Sequence, residues 1–157
     1  MSKPKPANPA LSISHPDLAS ALAQIGTEVA HQPLRSSALA RIMRETFHGS
    51  DAGGAWDWRM AYDLMQAAAI QVLLRGDNAV DDIATAKLLA SRLLTETRRS
   101  EQQIRLQQFS TPLPFAALAV QAAAIRKGET VLEPSAGTGA LAAFAARAGA
   151  TLLLNEI

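Results

Sequence analysis

With 157 residues, 48% of them hydrophobic, the chain is long enough to bury the core of one domain or one and a half. Its formal net charge of +1 argues against a protein that holds nucleic acid by charge alone, and the lack of cysteine excludes disulfides and thiolate metal sites. No stretch approaches the roughly 18 consecutive apolar residues of a membrane span, so we expect a soluble protein of the reducing cytoplasm.

Residues 1–13 are rich in proline and contain no apolar run long enough for a signal peptide, so we expect a flexible tail. Residues 14–107 show one helical pattern after another and are predicted to form a helical domain. The first helix is expected to begin within Ser14–Asp17, where the serine can cap it and the acid faces the positive helix end. It is expected to end at Pro33.

Three further helices are predicted in this domain. One begins at Ser36 and is followed by a glycine-rich loop over residues 48–55. The next can be capped by Asp57 and ends at Gly76. The last is predicted as one long helix that runs from about residue 80 through a polar segment to residue 107.

The pattern changes near residue 108, where Pro112 and Pro114 interrupt the helical periodicity. A helix that Gly128 ends is predicted next, and then a strand, the loop PSAGTG over residues 134–139, a helix and a second strand. This order predicts a β-α-β unit with parallel strands and a right-handed crossover. The expected fold class is therefore mainly α, with a helical N-terminal region followed by the first β-α-β unit of a Rossmann-like fold.

The loop between the first strand and its helix is a candidate binding site. Gly137 and Gly139 would let the backbone approach a ligand closely, and the helix dipole favours a carboxylate or phosphate there. Glu156 follows Gly139 by 17 residues, near the spacing of an acid that accepts hydrogen bonds from ribose hydroxyls. Two other interpretations remain open: an ordinary tight β-α turn, or a dinucleotide site, since Gly137, Gly139 and Ala142 fit G-x-G-x-x-A.

The residues around this loop resemble a known family. Glu133-Pro134 followed by G-x-G after a short strand resembles motif I of S-adenosylmethionine-dependent DNA adenine-N6 methyltransferases. Upstream, QQFSTP at Gln107 to Pro112 resembles motif X of the same family. The order motif X, helix, motif I, helix and acidic strand end is followed from residue 107 to residue 156 without a gap. The resemblance implies that residues 108–157 form part of a methyltransferase fold that binds S-adenosylmethionine.

The same resemblance implies a set of cofactor-binding residues. Two of them, Phe109 and Thr111, would border the methionine end of the cofactor. Glu133 and the loop would hold its amino and carboxylate groups, Pro134 would shape the loop, and Glu156 would take the ribose hydroxyls. The loop residues assigned in this way are Ser135, Ala136, Gly137 and Gly139.

The helical part is similar, more loosely, to the front of large bacterial methylase–helicase proteins of the strawberry notch type. The resemblance lies in G-x-W-x-W-[RK]-x-A-Y, present here as Gly54 to Tyr62, followed by the two motifs above. It implies a methyltransferase-like domain placed before a helicase. From the residues alone, Trp56 and Trp58 are expected to pack inside the protein rather than to stack on bases.

An adenine-N6 methyltransferase needs an Asn/Asp-Pro-Pro-aromatic motif, and the chain contains no Pro-Pro pair, so no catalytic residue is assigned. We expect these residues to be a fragment, a truncated gene product or a degenerate module, inactive alone and meeting DNA through downstream domains. Two parallel strands leave open edges, so they are expected to pair with another copy unless the helical part shields them. No metal site is expected, because the histidines lack ligand spacing. The alternative function is a non-enzymatic interaction module with a remnant loop.

Overall fold

The computed structural model describes residues 16–76, 81–97 and 110–156. These residues form six α-helices and one small parallel sheet of two strands. The helices are α1 (Pro16–His31), α2 (Ser36–Thr46), α3 (Trp58–Arg75), α4 (Asp82–Arg92), α5 (Leu113–Ala122) and α6 (Ala140–Arg147), and the strands are β1 (Thr130–Glu133) and β2 (Thr151–Leu154). The prediction of a mainly helical chain with one short parallel strand pair is confirmed, whereas its assignment to a Rossmann-like fold stays a prediction.

The first two helices follow their apolar periodicity. In α1, Leu22, Ile25 and Val29 are buried at helical spacing, and an acid lies in the first turn as expected. The predicted capping residue Ser14 lies outside the described residues. Helix α2 begins at Ser36 and buries its own apolar face, so that α1, α2 and α3 pack against one another.

The start of α3 is determined by local side-chain contacts. The carboxylate of Asp57 accepts a hydrogen bond of 2.7 Å from the backbone N–H of Met60, which confirms the predicted cap. Just before it, Trp56 is buried and its indole N–H donates to the carbonyl of Gly49 at 3.0 Å. Trp56 therefore packs inside the protein, as predicted, and fastens the glycine-rich loop that precedes α3.

The predicted long helix after residue 80 is wrong in its described C-terminal part. Helix α4 ends at Arg92, and the backbone of Leu93 is extended, with ψ at 153°. The competing interactions are tertiary, because the N–H of Leu94 contacts the sulfur of Met65 and the side chain of Gln66 donates to Glu96 at 2.8 Å. Residues 98–109 lie outside the described residues.

One hydrophobic core runs through all the helices. Helix α5 packs against α4 and α6, and α6 packs against α3 and both strands. As a result Leu113, Ala143 and Phe144 belong to the same buried cluster as Leu39 and Leu73 of the N-terminal helices. The predicted division near residue 108 stays a prediction, but the packing across it is continuous.

Arg147, the last residue of α6, connects the β-α-β segment to the helices. Its side chain is only 4% exposed, and its Nε lies 2.7 Å from a carboxylate oxygen of Asp82 at the start of α4. The same guanidinium donates to the carbonyls of Leu73 and Gly76 at the end of α3, at 2.9 and 3.3 Å. A buried cation therefore adds a donor to carbonyls at the C-terminal end of α3 and faces the negative end of the helix dipole.

We expect Arg147→Ala to lower the free energy of unfolding by about 2–3 kcal/mol, because the ion pair of a buried guanidinium with Asp82 and its hydrogen bonds to two carbonyls are lost together. Urea denaturation followed by far-UV circular dichroism measures the loss. The exposed Arg126 offers a control, and Arg126→Ala is expected to change stability by no more than about 0.5 kcal/mol. Equal losses for the two variants would contradict a connecting role for Arg147.

Candidate functional site

The loop of residues 134–139 lies at the carboxyl edge of the two-stranded sheet. The strands are parallel and in register, with Thr130 opposite Thr151 and Glu133 opposite Leu154. Because parallel strands end at the same edge, the loop after β1 is brought beside Asn155 and Glu156, which follow β2. The sheet geometry therefore joins the two segments in which the sequence predicts cofactor-binding acids.

Asn155 holds the loop in place with both its backbone and its side chain. Its N–H donates to the carbonyl of Glu133 at 2.9 Å, and its carbonyl accepts from the N–H of Ala136 at 2.9 Å. Its side-chain amide also donates to the carbonyl of Pro134 at 3.2 Å. Asn155 belongs to no recognised motif, and the only sequence signal that points to it is its position directly before Glu156.

Both strand-end acids contact backbone N–H groups of the loop. The carboxylate of Glu133 accepts from the N–H of Ser135 at 3.1 Å, which is a local turn contact. The carboxylate of Glu156 accepts from the N–H of Gly137 at 2.7 Å, across 19 residues of sequence. The second distance is that of a charge-assisted hydrogen bond, so the loop already holds one anionic group.

The two loop glycines have left-handed backbone conformations and free space around them. The φ angles are +53° at Gly137 and +90° at Gly139, and a Cβ added at either position would meet no other atom within 4 Å. At Gly149, in contrast, an added Cβ would lie 2.9 Å from the side chain of Lys127. Gly137 and Gly139 therefore serve the turn and leave open space, whereas Gly149 also allows close packing.

The loop leads directly into the N-terminus of α6. The N–H of Gly139 donates to the carbonyl of Ala136 at 2.8 Å, and the carbonyl of Gly139 accepts from Ala143 at 2.9 Å to start the helix. Among the residues that the structure describes, no side chain caps this helix. The first turn of α6 can therefore offer N–H groups and the positive end of its dipole to an anion.

The structure brings together most of the predicted cofactor-binding residues. Those that lie in one hydrogen-bonded segment are Glu133, Pro134, Ser135, Ala136, Gly137, Gly139 and Glu156. Thr111 is exposed just before α5 and has no hydrogen bond to another described residue. Phe109 lies outside the described residues. The roles assigned to all of these residues remain predictions.

The described helices leave one face of the sheet exposed. Helix α6 packs against both strands, and Val131 and Leu152 are half-buried. On the opposite face the cross-strand pair Leu132 and Leu153 is 67% and 55% exposed. This apolar pair is therefore open to solvent, and the expected pairing or shielding of the strand edges stays a prediction.

Other features of the described residues point to no second site. A groove of about 350 Å³ between α4, α5 and α6 is lined by Asp82, Val120 and Phe144, and by none of the predicted cofactor-binding residues. No helix in residues 16–76, 81–97 and 110–156 is long and apolar enough to cross a membrane. Within the same ranges, no group of three or more histidine or acidic side chains is arranged to hold a metal ion.

One carboxyl group in the helical part has a shifted pKa. Burial raises the pKa of Asp63 on α3 above its ordinary value of 3.8, Arg59 opposes this shift, and Glu96 and Asp57 reinforce it. The folded protein therefore binds this proton more tightly than the unfolded chain does, and the resulting stability is lost as pH rises through the raised pKa. The Asp63 side chain is 52% exposed, so the contribution is small.

Comparison of the chain with protein families, curated proteins and solved structures found no match.

We expect Gly137→Ala and Gly54→Ala to lower the free energy of unfolding by about 1–2 kcal/mol each, because both residues have positive φ and open surroundings. Gly26→Ala in α1 should instead be neutral or raise stability by up to about 1 kcal/mol, since its Cβ would meet only Val72, at 3.8 Å. Urea denaturation of the three variants measures these signs. A stabilising Gly137→Ala would show that the loop has another conformation.

Proposed function

We propose that the loop binds S-adenosylmethionine and that the chain is the cofactor-binding portion of a DNA adenine-N6 methyltransferase. The observation that supports this most is the meeting of both strand-end acids with the positive-φ glycines at one edge of the sheet. Glu133 is the last residue of β1, and Glu156 follows β2. Their carboxylates accept hydrogen bonds from the backbone N–H groups of Ser135 and Gly137 in the loop.

The charges and donors of the site fit the cofactor group by group. The cofactor's ammonium needs an acid, which Glu133 supplies, and its carboxylate needs N–H donors, which the loop and the first turn of α6 supply. Its ribose diol needs an acceptor, which Glu156 supplies. The cofactor brings an electrophilic methyl group, while the residues of this chain bind and orient it. Thr111 and Phe109 join the site by the motif X resemblance.

Space at the loop supports the same proposal. A Cβ added at Gly137 or Gly139 would meet no other atom within 4 Å, so open space adjoins the loop at both glycines. The chain offers no Asn/Asp-Pro-Pro-aromatic motif, so methyl transfer is not assigned to its residues. Contact with DNA, fusion to a helicase and a cytoplasmic location belong to the proposal by resemblance only.

Calorimetric titration with S-adenosylmethionine tests the proposal. We expect saturable binding by the wild-type chain and at least a tenfold weaker binding, roughly, by Gly137→Ala, whose added methyl group would occupy the ligand space. Gly54→Ala is the matched control, because it carries a similar backbone strain far along the sequence from the loop and should bind like the wild type. Glu133→Gln should weaken binding of the cofactor but not of 5′-methylthioadenosine, which lacks the ammonium group of the methionine part.

No binding heat and no thermal stabilisation at millimolar cofactor would contradict the proposal. An increase in NADH fluorescence on mixing would instead favour the dinucleotide interpretation of Gly137, Gly139 and Ala142.

A second candidate function is interaction with another protein copy, and the exposed sheet face favours it. Leu132 and Leu153 form an exposed apolar pair, and both strands of the two-stranded sheet have an outer edge without a described partner strand. Exposed apolar side chains beside an open strand edge are typical of an interface, because pairing would bury both.

Sedimentation velocity over a range of protein concentrations tests this second candidate. We expect the wild-type chain to associate as concentration rises and Leu153→Asp to remain monomeric, because the charge would lie in the buried contact. Leu88→Asp on α4 is the control, since Leu88 is 51% exposed outside the sheet. A wild-type mass independent of concentration, or equal loss of association in both variants, would contradict association through the sheet.

A further inference from the structure

We propose that Glu156 determines the specificity of the loop by occupying it until a ligand satisfies two conditions at once. The ligand must bring an anionic group for the loop N–H and hydroxyl donors for the carboxylate of Glu156 that it displaces. This inference rests on the proposed function. It adds that the ligand replaces the hydrogen bond between the N–H of Gly137 and the carboxylate of Glu156.

The exchange follows from the contact between Glu156 and Gly137. The carboxylate lies 2.7 Å from the N–H of Gly137, and that N–H belongs to the loop that is expected to hold a ligand carboxylate. One N–H cannot donate fully to two carboxylates, and two carboxylates side by side repel each other. A ligand anion must therefore move Glu156 away before it binds there.

The cost of this displacement depends on what the ligand offers to Glu156. A simple anion gains the N–H of Gly137 but leaves the Glu156 carboxylate beside it with only water as a partner, so the net gain is small. A ligand that carries hydroxyl donors as well gives Glu156 new hydrogen bonds. The pair of Gly137 and Glu156 thus rejects free anions and accepts a molecule that combines a carboxylate with a diol.

The rest of the loop is held independently of this contact. Asn155 binds Glu133, Pro134 and Ala136 through two backbone bonds and one side-chain bond. Glu156 adds only the bond to Gly137 and is itself exposed. Release of Glu156 therefore leaves the frame of the loop intact, which is the condition for an exchange without local unfolding.

Glu133 has a different position with respect to the loop. It contacts the N–H of Ser135 two residues along the chain, at 3.1 Å, within its own turn. This contact does not involve Gly137, so a ligand anion at Gly137 leaves it in place. Glu133 and Glu156 therefore have separate roles, and only Glu156 competes with the ligand.

Titration of the uniformly ¹⁵N-labelled full chain by NMR tests the inference with three probes. L-methionine carries the carboxylate and ammonium but no ribose, 5′-methylthioadenosine carries the ribose but no carboxylate, and S-adenosylmethionine carries all of these groups. The wild-type chain, Glu156→Ala and Glu156→Gln are compared, and the amide resonance of Gly137 reports on its hydrogen-bond partner. Two-dimensional spectra of the free variants show directly whether each is folded.

We expect Glu156→Ala to bind L-methionine about three- to tenfold more tightly than the wild type, because no internal carboxylate has to be displaced. The same variant should bind 5′-methylthioadenosine more weakly, since the acceptor for its hydroxyls is gone. Glu156→Gln should show both changes to a lesser degree. In the free wild-type chain, addition of S-adenosylmethionine should shift the Gly137 amide resonance.

Glu129→Gln is the matched control. The Glu129 carboxylate also accepts a backbone N–H, from Arg126 at 2.9 Å, but it lies before β1 at the opposite end of the strand. This variant should bind all three probes like the wild type.

The possible failures are distinguishable. If S-adenosylmethionine binds the wild-type chain but Glu156→Ala binds L-methionine equally or more weakly, the exchange is overturned while the proposed function stands. If S-adenosylmethionine does not bind the wild-type chain, both are overturned. If neither Glu156 variant folds, Glu156 is a structural residue and the exchange is overturned as well.

Discussion

The placement of the candidate site depends on the buried guanidinium of Arg147. Arg147 is the last residue of α6, the helix that follows the loop. Its side chain binds Asp82 of α4 and the last carbonyls of α3. A four-residue strand pair buries too little surface to be stable alone. The core contacts of Phe144 and the polar contacts of Arg147 therefore attach the loop, α6 and the sheet to the helices. The position of the loop relative to the helices therefore depends on the contacts that Arg147 makes at the C-terminal end of α6.

A second constraint operates at the loop itself, where acids and N–H groups satisfy one another. The parallel register puts Asn155 and Glu156 beside the turn, so that Asn155 maintains its shape and Glu156 supplies its negative charge. The arrangement that makes the loop suitable for an anionic ligand thus already contains an anion. Stability of the free protein and affinity for a ligand are then opposed at Gly137, and a ligand has to replace the hydrogen bond that it breaks.

The parts of the fold that could be predicted from the sequence are those decided by neighbouring residues. Asp57 caps α3 because the N–H groups that it serves belong to the next turn, and Gly137 and Gly139 mark the turn through their own φ angles. The end of α4 could not be predicted, because Leu94 and Glu96 bind Met65 and Gln66 of α3 and so leave the helical path. The roles of Arg147 and Asn155 were equally inaccessible, since each depends on partners far away in the sequence.

Free space beside a glycine does not by itself indicate a ligand site. Gly54 and Gly128 also have positive φ and no atom within 4 Å of an added Cβ. The carboxylates of Glu133 and Glu156, however, accept N–H groups of the loop at Ser135 and Gly137 and not those of Gly54 or Gly128. Gly137 differs because its N–H donates to the carboxylate of Glu156, which follows the neighbouring strand β2, and because it lies just before a helix without a side-chain cap. The proposal of a cofactor site therefore depends on this combination of space, donors and acids, and only the parallel pairing of β1 and β2 brings the three together.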